Sequence, residues 1–270
     1  MAISRRSFLT IAATTAALAT LSAPANAATS SRKGVSANNV EGAAGALADV
    51  GASWFYTWAS DTQGITAPDG VEFVPMIWGA DSVNPTQLGQ AQSLGSTLLG
   101  FNEPDLSGQA GMSVSQALSL WPQMQATGLR LGAPAVAYGG DTPGGWLDQF
   151  ISGAAAQNYR VDFIPLHWYG GDFSSAASGE LGSYLQAVYD RYQLPIWVTE
   201  YALIDFSGST PAYPSSEQQV EFINASTAMF DGLSYLERYA WFSLSTTTGP
   251  TGLYSGTTPN DSGVAYRSAT

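Results

Sequence analysis

Cysteine is absent from this sequence of 270 residues, and histidine occurs once. The chain therefore has no disulfide bonds, no thiolate metal ligands and no cysteine nucleophile, and a single histidine does not make a zinc site. The sequence also lacks an Asp-x-Asp-x-Asp-Gly calcium loop, a Gly-x-Ser-x-Gly nucleophile elbow and a Gly-x-x-x-x-Gly-Lys phosphate loop. We therefore expect no metal and no cofactor, and a fold that is stabilised by packing alone.

Basic residues are scarce as well. Nine lysines and arginines oppose 21 acids, which gives a formal net charge of −12. A surface of this sign repels nucleic acid and anionic membranes, so neither is an expected partner. Aromatic residues make up 12% of the chain and include eight tryptophans, which either fill the core or stack on sugar rings. A neutral polymer is the kind of ligand that this composition does not penalise.

The first 27 residues have the pattern of an export signal. A basic start is followed by an apolar run and by Ala25-Asn26-Ala27, the small residues that precede a signal-peptide cleavage site. Arg5 and Arg6 are adjacent and are followed by hydrophobic residues, as in bacterial twin-arginine signals. The sequence predicts a secreted bacterial protein with a signal peptide over residues 1–27 and a single mature domain over residues 28–270.

Short apolar runs alternate with helical stretches in the rest of the chain. The eight strand-like runs are Gly34–Ala37, Ser53–Trp58, Phe73–Trp78, Thr97–Asn102, Leu131–Ala137, Asp162–Trp168, Pro195–Thr199 and Tyr239–Leu244. The helix-like segments are Asn39–Asp49, Pro85–Leu94, Ser113–Gln125, Trp146–Ala156, Glu180–Tyr192 and Ser216–Asp231. Strands that alternate with helices favour a parallel sheet, and eight such units are typical of the α/β class and its (β/α)8 TIM barrel.

Two glutamates stand at the ends of these apolar runs. Glu103 ends the fourth predicted strand and Glu200 ends the seventh. In a (β/α)8 barrel the carboxyl ends of all strands ring one mouth, so the two side chains are expected to face each other. Glycoside hydrolysis needs one carboxylic acid to protonate the departing oxygen and a second carboxylate to attack the anomeric carbon or activate water. The alternatives are a helix-capping turn at Glu103 and a surface glutamate at Glu200.

Other polar and aromatic residues also lie at strand ends and are predicted to converge on the same mouth. His167, at the end of the sixth run, is either structural or a hydrogen-bond partner of Glu200 or of a sugar hydroxyl. The aromatic residues at strand ends are Trp58, Trp78, Trp168, Tyr169 and Trp241.

Three segments together resemble glycoside hydrolase family 128, the glycosyl hydrolase catalytic core. They are Gly100-Phe101-Asn102-Glu103-Pro104-Asp105, His167-Trp168-Tyr169 and Trp197-Val198-Thr199-Glu200-Tyr201. The resemblance runs roughly from Gly34 to Leu244 and implies an endo-β-1,3-glucanase that retains the anomeric configuration. It implies that Glu103 is the acid/base, that Glu200 is the nucleophile, and that Asn102 holds the 2-hydroxyl of the sugar being cleaved.

The resemblance also implies roles for the neighbouring residues. His167 and Tyr169 would support the nucleophile, and Trp241 would be the platform under the reacting sugar. Trp58, Trp78 and Trp168 would be stacking surfaces further along the cleft. Tyr201, which follows the nucleophile, is a further predicted substrate-binding residue; many family members have phenylalanine there, and we expect this difference to have little consequence.

Two other functions stay open on the residues alone. Asn-Glu-Pro is shared by many (β/α)8 glycosidases and does not fix the linkage, so a retaining glycosidase acting on β-1,4-glucan, mannan or xylan is the first alternative. A secreted, non-catalytic glucan-binding protein is the second, and the presence of both carboxylates argues against it. The expected partner is β-1,3-glucan, as polysaccharide or oligosaccharide, and a monomer is the default expectation for such an enzyme.

Overall fold

The computed structural model describes residues 32–269, so the predicted signal peptide lies outside the described residues. Eight of the strands in this part of the chain belong to the barrel: β1 Lys33–Ser36, β2 Trp54–Tyr56, β3 Glu72–Phe73, β4 Thr97–Leu98, β5 Arg130–Leu131, β6 Ile164–Gly170, β7 Ile196–Leu203 and β8 Leu236–Trp241. The helices are α1 Ala43–Asp49, α2 Pro85–Leu94, α3 Val114–Gln125, α4 Trp146–Ala156, α5 Ala177–Tyr192, α6 Ser216–Asp231 and α7 Asp261–Ser268. A short hairpin, β9 Tyr254–Ser255 and β10 Thr258–Pro259, precedes α7.

The strands follow one another in chain order around a (β/α)8 barrel, which confirms the predicted fold. Six of them form a parallel sheet in the order β3-β2-β1-β8-β7-β6, and β4 pairs with β5. Single parallel bridges, Met76 with Leu99 and Gly132 with Phe163, join the two sheets. The ladder is therefore not continuous at these two seams, although the order of the strands is that of a barrel.

Local capping explains the starts of α2, α3 and α6, which lie within one residue of the predicted starts, whereas α1 begins four residues later and α5 three residues earlier than predicted. The Asn84 side chain accepts a hydrogen bond at the start of α2, and Pro85 occupies the first turn. Ser113 caps α3, and Ser215 and Gln218 form a capping box at α6. The segment 57–71 connects β2 to β3 without a helix, and α7 was not predicted. Within residues 32–269, no helix combines the length and apolar character needed to cross a membrane.

A separate hydrophobic cluster fills the inside of the barrel. Its largest members are Trp54, Tyr56, Phe163 and Trp197, and all four are buried. Gly34 permits this packing, because a Cβ at that position would lie 2.3 Å from the Trp54 ring. Since the interior is filled by side chains, a ligand has room only at the mouth formed by the carboxyl ends of the strands.

Candidate active site

Glu103 lies in the turn that follows β4. Its backbone amide donates a hydrogen bond to the Ala135 carbonyl (2.7 Å), and Asn102 pairs with the same residue in an isolated bridge. Glu103 has a φ of +45°, which is uncommon for a residue with a side chain and is a form of backbone strain that clusters at functional sites. The carboxyl group is buried but lines the cleft at the barrel mouth. The turn therefore fixes Glu103 at the lip of the barrel.

Glu200 lies in β7, and hydrogen-bond donors surround its carboxylate. The Trp58 indole donates to Oε1 (2.7 Å), the Tyr56 hydroxyl lies 3.0 Å from the same oxygen, and the Tyr169 hydroxyl donates to Oε2. Burial and the charge of Glu200 raise the pKa values of Tyr56 and Tyr169 well above 10.0, so both phenols keep their protons and remain donors. An ionised carboxylate accepts hydrogen bonds and donates none, and this environment matches it.

His167 lies between the two glutamates. Its Nδ1 is 2.7 Å from Glu103 Oε1, and its Nε2 is 3.5 Å from Glu200 Oε1. Burial lowers the pKa of His167, but the charges of Glu200 and Glu103 outweigh the burial, so the pKa is raised above 6.5. The resemblance had placed His167 on the nucleophile's side, whereas its short contact is with Glu103. The histidine is therefore shared by both carboxylates.

Glu103, His167 and Glu200 each offer one ligand atom, and these atoms lie within 4.8 Å of one another. Two ligands of one tetrahedral zinc ion, each about 2.0–2.1 Å from the metal, lie about 3.3 Å apart. The 2.7 Å separation of His167 Nδ1 and Glu103 Oε1 is instead that of a direct hydrogen bond. The geometry is that of a hydrogen-bonded acid–base cluster.

The cluster opens into a cleft of about 1080 Å³. The structure brings most of the predicted site residues to this cleft, namely Trp58, Trp78, Asn102, Glu103, His167, Trp168, Tyr169 and Glu200. The Asn102 Oδ1 is buried and has no hydrogen-bond partner among the described residues, which leaves an acceptor for a ligand hydroxyl. These eight predicted residues thus line one cleft.

Trp241 and Tyr201 do not reach the cleft, so the predicted platform role of Trp241 and the predicted substrate-binding role of Tyr201 are both wrong. Both side chains are fully buried, with ring centroids 4.9 Å apart, and the Trp241 indole donates to the Thr251 carbonyl (2.8 Å). Neighbouring residues of a strand point to opposite faces, and it is Phe242 that lines the cleft. Both Trp241 and Tyr201 therefore belong to the core between barrel and helices.

Sequence reasoning missed several residues of the site. Tyr56, a donor to Glu200, lies inside an apolar run and has no motif of its own. Tyr138 and Phe206 line the cleft and are 70% and 57% exposed. Tyr138 precedes two glycines at the end of a strand-like run, and an aromatic residue in such a loop is a signal that could have identified it.

The sequence profile of the glycosyl hydrolase catalytic core matches residues 34–266. A solved glycoside hydrolase family 128 (subgroup I) endo-β-1,3-glucanase from Amycolatopsis mediterranei, in complex with laminaritriose, is 73% identical, with a TM-score of 0.88 over 89% of this chain and 100% of that chain. A subgroup II endo-β-1,3-glucanase from Sorangium cellulosum is 30% identical, with a TM-score of 0.75 over 88% of this chain and 98% of that one.

The alkali-sensitive linkage protein 1 of Schizosaccharomyces pombe is 34% identical over 210 residues, which are 74% of this chain and 36% of the relative. The chain thus spans about a third of the length of that curated relative. The Amycolatopsis enzyme has also been solved as two variants, each with a different glutamate replaced. One variant is in complex with laminarihexaose, and the other is in complex with laminaritriose and laminaribiose. Those two glutamates lie as far apart along their chain as Glu103 and Glu200 do here.

Proposed function

We propose, from the premise that the chain belongs to glycoside hydrolase family 128 and its glycosyl hydrolase catalytic core, that it is an endo-β-1,3-glucanase that hydrolyses laminarin and curdlan with retention of configuration. The observation that carries this proposal is the arrangement of Glu103 and Glu200 around His167, with ligand atoms of all three within 4.8 Å of one another. Carboxyl groups about 5–5.5 Å apart suit a double displacement, whereas inverting enzymes need about 6.5–9.5 Å to place a water molecule between.

The surroundings of the two glutamates assign their roles. Glu200, with its three donors, is held in one orientation as a carboxylate and is the nucleophile that attacks the anomeric carbon. Glu103, which lines the cleft and contacts His167, protonates the departing oxygen and then takes a proton from the attacking water. Asn102, with its unpartnered Oδ1, accepts a hydrogen bond from a hydroxyl of the sugar.

The cleft suits a neutral polymer. Tyr138 and Phe206 expose large aromatic side chains on its walls. Exposed apolar surface of this kind is typical of a ligand-binding groove. Phe206 packs edge-on against Tyr169, with ring centroids 5.4 Å apart, so this wall adjoins the nucleophile. The Tyr138 loop adjoins the acid/base, because the Ala137 amide donates to Asp105 (2.9 Å) in the Glu103 turn. A sugar chain lying along the cleft would meet an aromatic surface on each side of the glutamates.

Hydrolysis assays test the proposal. We expect reducing ends to be released from laminarin and curdlan and not from carboxymethylcellulose, xylan or mannan. Cleavage of any of the last three would indicate the first alternative, a glycosidase acting on another β-glycan. Glu103→Gln and Glu200→Gln should each lose nearly all activity, whereas Glu217→Gln, an exposed glutamate on α6, should keep it. If both site variants retain wild-type rates, the catalytic roles are wrong. Glucan binding without turnover by the wild type would indicate the second alternative.

We also propose that the protein is exported from a bacterial cell. The proposal rests on the adjacent Arg5 and Arg6 and on the Ala25-Asn26-Ala27 pattern, which lie outside the described residues. Replacing both arginines with lysine should abolish twin-arginine export in a bacterial host while activity in the cell lysate persists. Continued appearance of the enzyme in the medium would contradict this route.

A further inference from the structure

His167 joins the two glutamates that the proposed reaction uses, and it is the single histidine of the sequence. One ring nitrogen faces each carboxylate, with Nδ1 2.7 Å from Glu103 and Nε2 3.5 Å from Glu200. The ring is buried, and Nε2 has no hydrogen-bond partner among the described residues. The ring is therefore in contact with the charge of both glutamates.

We propose that Glu103 and His167 act as one acid, and that His167 transmits the charge of Glu200 to that acid. The inference rests on the proposed glycosidase function and adds a positioning residue to it. His167 does not touch the substrate's reacting atoms in this scheme. It determines when Glu103 holds a proton.

The charge of Glu200 determines which nitrogen of His167 carries hydrogen. A lone pair on Nε2 would be repelled by the carboxylate 3.5 Å away, whereas an N–H at that position is attracted to it. With hydrogen on Nε2, the neutral ring presents the lone pair of Nδ1 to Glu103. The catalytic proton then lies between Glu103 Oε1 and His167 Nδ1, which are 2.7 Å apart, and is bound to one or the other.

Other ionisable groups around the ring agree with this state. Asp105, in the same turn as Glu103, adds a further negative charge that raises the pKa of His167. Tyr56 and Tyr169 approach from β2 and β6 as neutral phenols and donate to Glu200, so they leave its charge in place. The ring therefore faces carboxylates from two sides, and these favour retention of the proton on the pair.

The pair gives up its proton in the first chemical step. The proton moves onto Glu103 Oε1, a half-turn of the carboxyl group presents it to the cleft, and it passes to the departing oxygen. The bond from the anomeric carbon to that oxygen breaks as the bond to Glu200 forms. Glu200 is now an uncharged ester, so the attraction that kept the proton on the pair is gone.

The second step reverses these changes. Glu103, now a carboxylate, takes a proton from water as the water oxygen bonds to the anomeric carbon and the bond to Glu200 breaks. The Glu200 carboxylate reappears and again favours a proton on the pair. His167 thus makes Glu103 an acid when Glu200 is charged and a base when Glu200 is esterified.

Because the histidine is unique, its NMR titration reports the ring directly in protein without a histidine tag. We expect the wild-type ring to stay protonated above pH 6.5. Its pKa should fall by about one pH unit or more in Glu200→Gln, which removes the charge but keeps the size. Esterifying Glu200 with a 2-deoxy-2-fluoro-laminaribiosyl fluoride should cause the same fall, and Glu217→Gln should cause none. Equal titration in all four samples would overturn the proposal.

Kinetics of His167→Asn separate proton coupling from simple support, since asparagine keeps a polar group near the Nδ1 position but does not titrate. We expect the basic limb of the kcat/KM profile for laminarin to move to lower pH by about one unit. Hydrolysis of 2,4-dinitrophenyl laminaribioside, whose leaving group needs no proton, should keep its profile. A lower rate with an unchanged laminarin profile would overturn the inference. A wild-type protein that cleaves no laminarin would instead defeat the proposed function.

Discussion

Replacing Tyr138 with alanine should weaken the binding of the sugars that leave with the departing oxygen. The side chain is 70% exposed in a loop that is already fixed, because the Tyr184 hydroxyl accepts from the Gly140 amide (3.1 Å) and the Tyr192 hydroxyl donates to the Gly140 carbonyl (3.0 Å). The loop is bonded to the Glu103 turn through Ala137, so a sugar on Tyr138 lies on the acid/base side.

The magnitude follows from the exposed area. An aromatic side chain offers about 150–250 Å² of surface, and a sugar ring on one face covers about 60 Å² of it. At about 25 cal/mol per Å² this stacking contributes about 1.5 kcal/mol, which corresponds to about a tenfold change in affinity. The entropy lost by ordering the loop on binding subtracts little from this free energy, since hydrogen bonds already fix the loop in the free protein.

Steady-state kinetics with two substrates measure this effect. Tyr138→Ala should lower kcat/KM for laminarihexaose about tenfold and leave hydrolysis of an aryl laminaribioside, whose leaving group is not a sugar, unchanged. Tyr213→Ala is the matched control, because Tyr213 is 39% exposed and does not line the cleft. The stacking role of Tyr138 is refuted if Tyr138→Ala and Tyr213→Ala give the same kcat/KM for laminarihexaose. It is also refuted if Tyr138→Ala lowers kcat/KM for the aryl substrate as much as for laminarihexaose.

Three further perturbations test other parts of the structure. Gly100→Ala would place a Cβ 2.7 Å from the Ala133 carbonyl oxygen, and we expect a loss of about 1–3 kcal/mol, seen as a lower Tm. Trp58→Phe removes the indole donor to Glu200 but keeps a ring, so kcat for laminarin should fall at least about tenfold, given about 1.5–3 kcal/mol for a hydrogen bond to a charged group. Burial lowers the pKa of Lys33 to about 8. The folded protein therefore binds fewer protons than the unfolded chain between about pH 8 and 10.5, and its free energy of unfolding should rise with pH there relative to Lys33→Met, as urea titrations can show.

Local signals carried most of the fold prediction. The helix-like composition of Pro85–Leu94 and Ser216–Asp231 predicted α2 and α6 with the bounds that the structure shows, and the caps at Asn84 and Ser215 explain why these helices begin there. Strand lengths were less readable, because an apolar run continues into the turn after the ladder ends. The run Thr97–Asn102 forms the strand β4 only over Thr97–Leu98. Of its remaining residues, Leu99 and Asn102 form isolated bridges, and the chain then enters the Glu103 turn.

Strand ends located the carboxylates but not the face of each neighbouring side chain. Trp241 was predicted to be a platform because it lies near a strand end, yet Phe242 is the residue that lines the cleft. Alternation along β8 places Tyr239 and Trp241 in the core under the helices and Ala240 inside the barrel, so it is the next residue, Phe242, that faces the cleft. Tyr138 and Phe206 escaped prediction for another reason, since their positions depend on loops that carry no periodic pattern.

Azide rescue of the two alanine variants tests the double displacement most directly. With 2,4-dinitrophenyl laminaribioside as substrate, Glu200→Ala leaves room for azide in place of the nucleophile, so a single displacement should give the α-glycosyl azide. Glu103→Ala still forms the ester on Glu200, and azide should then release the β-glycosyl azide. NMR of the anomeric proton distinguishes these products. The reversed pair of configurations, or rescue of neither variant, would contradict the roles assigned to Glu103 and Glu200.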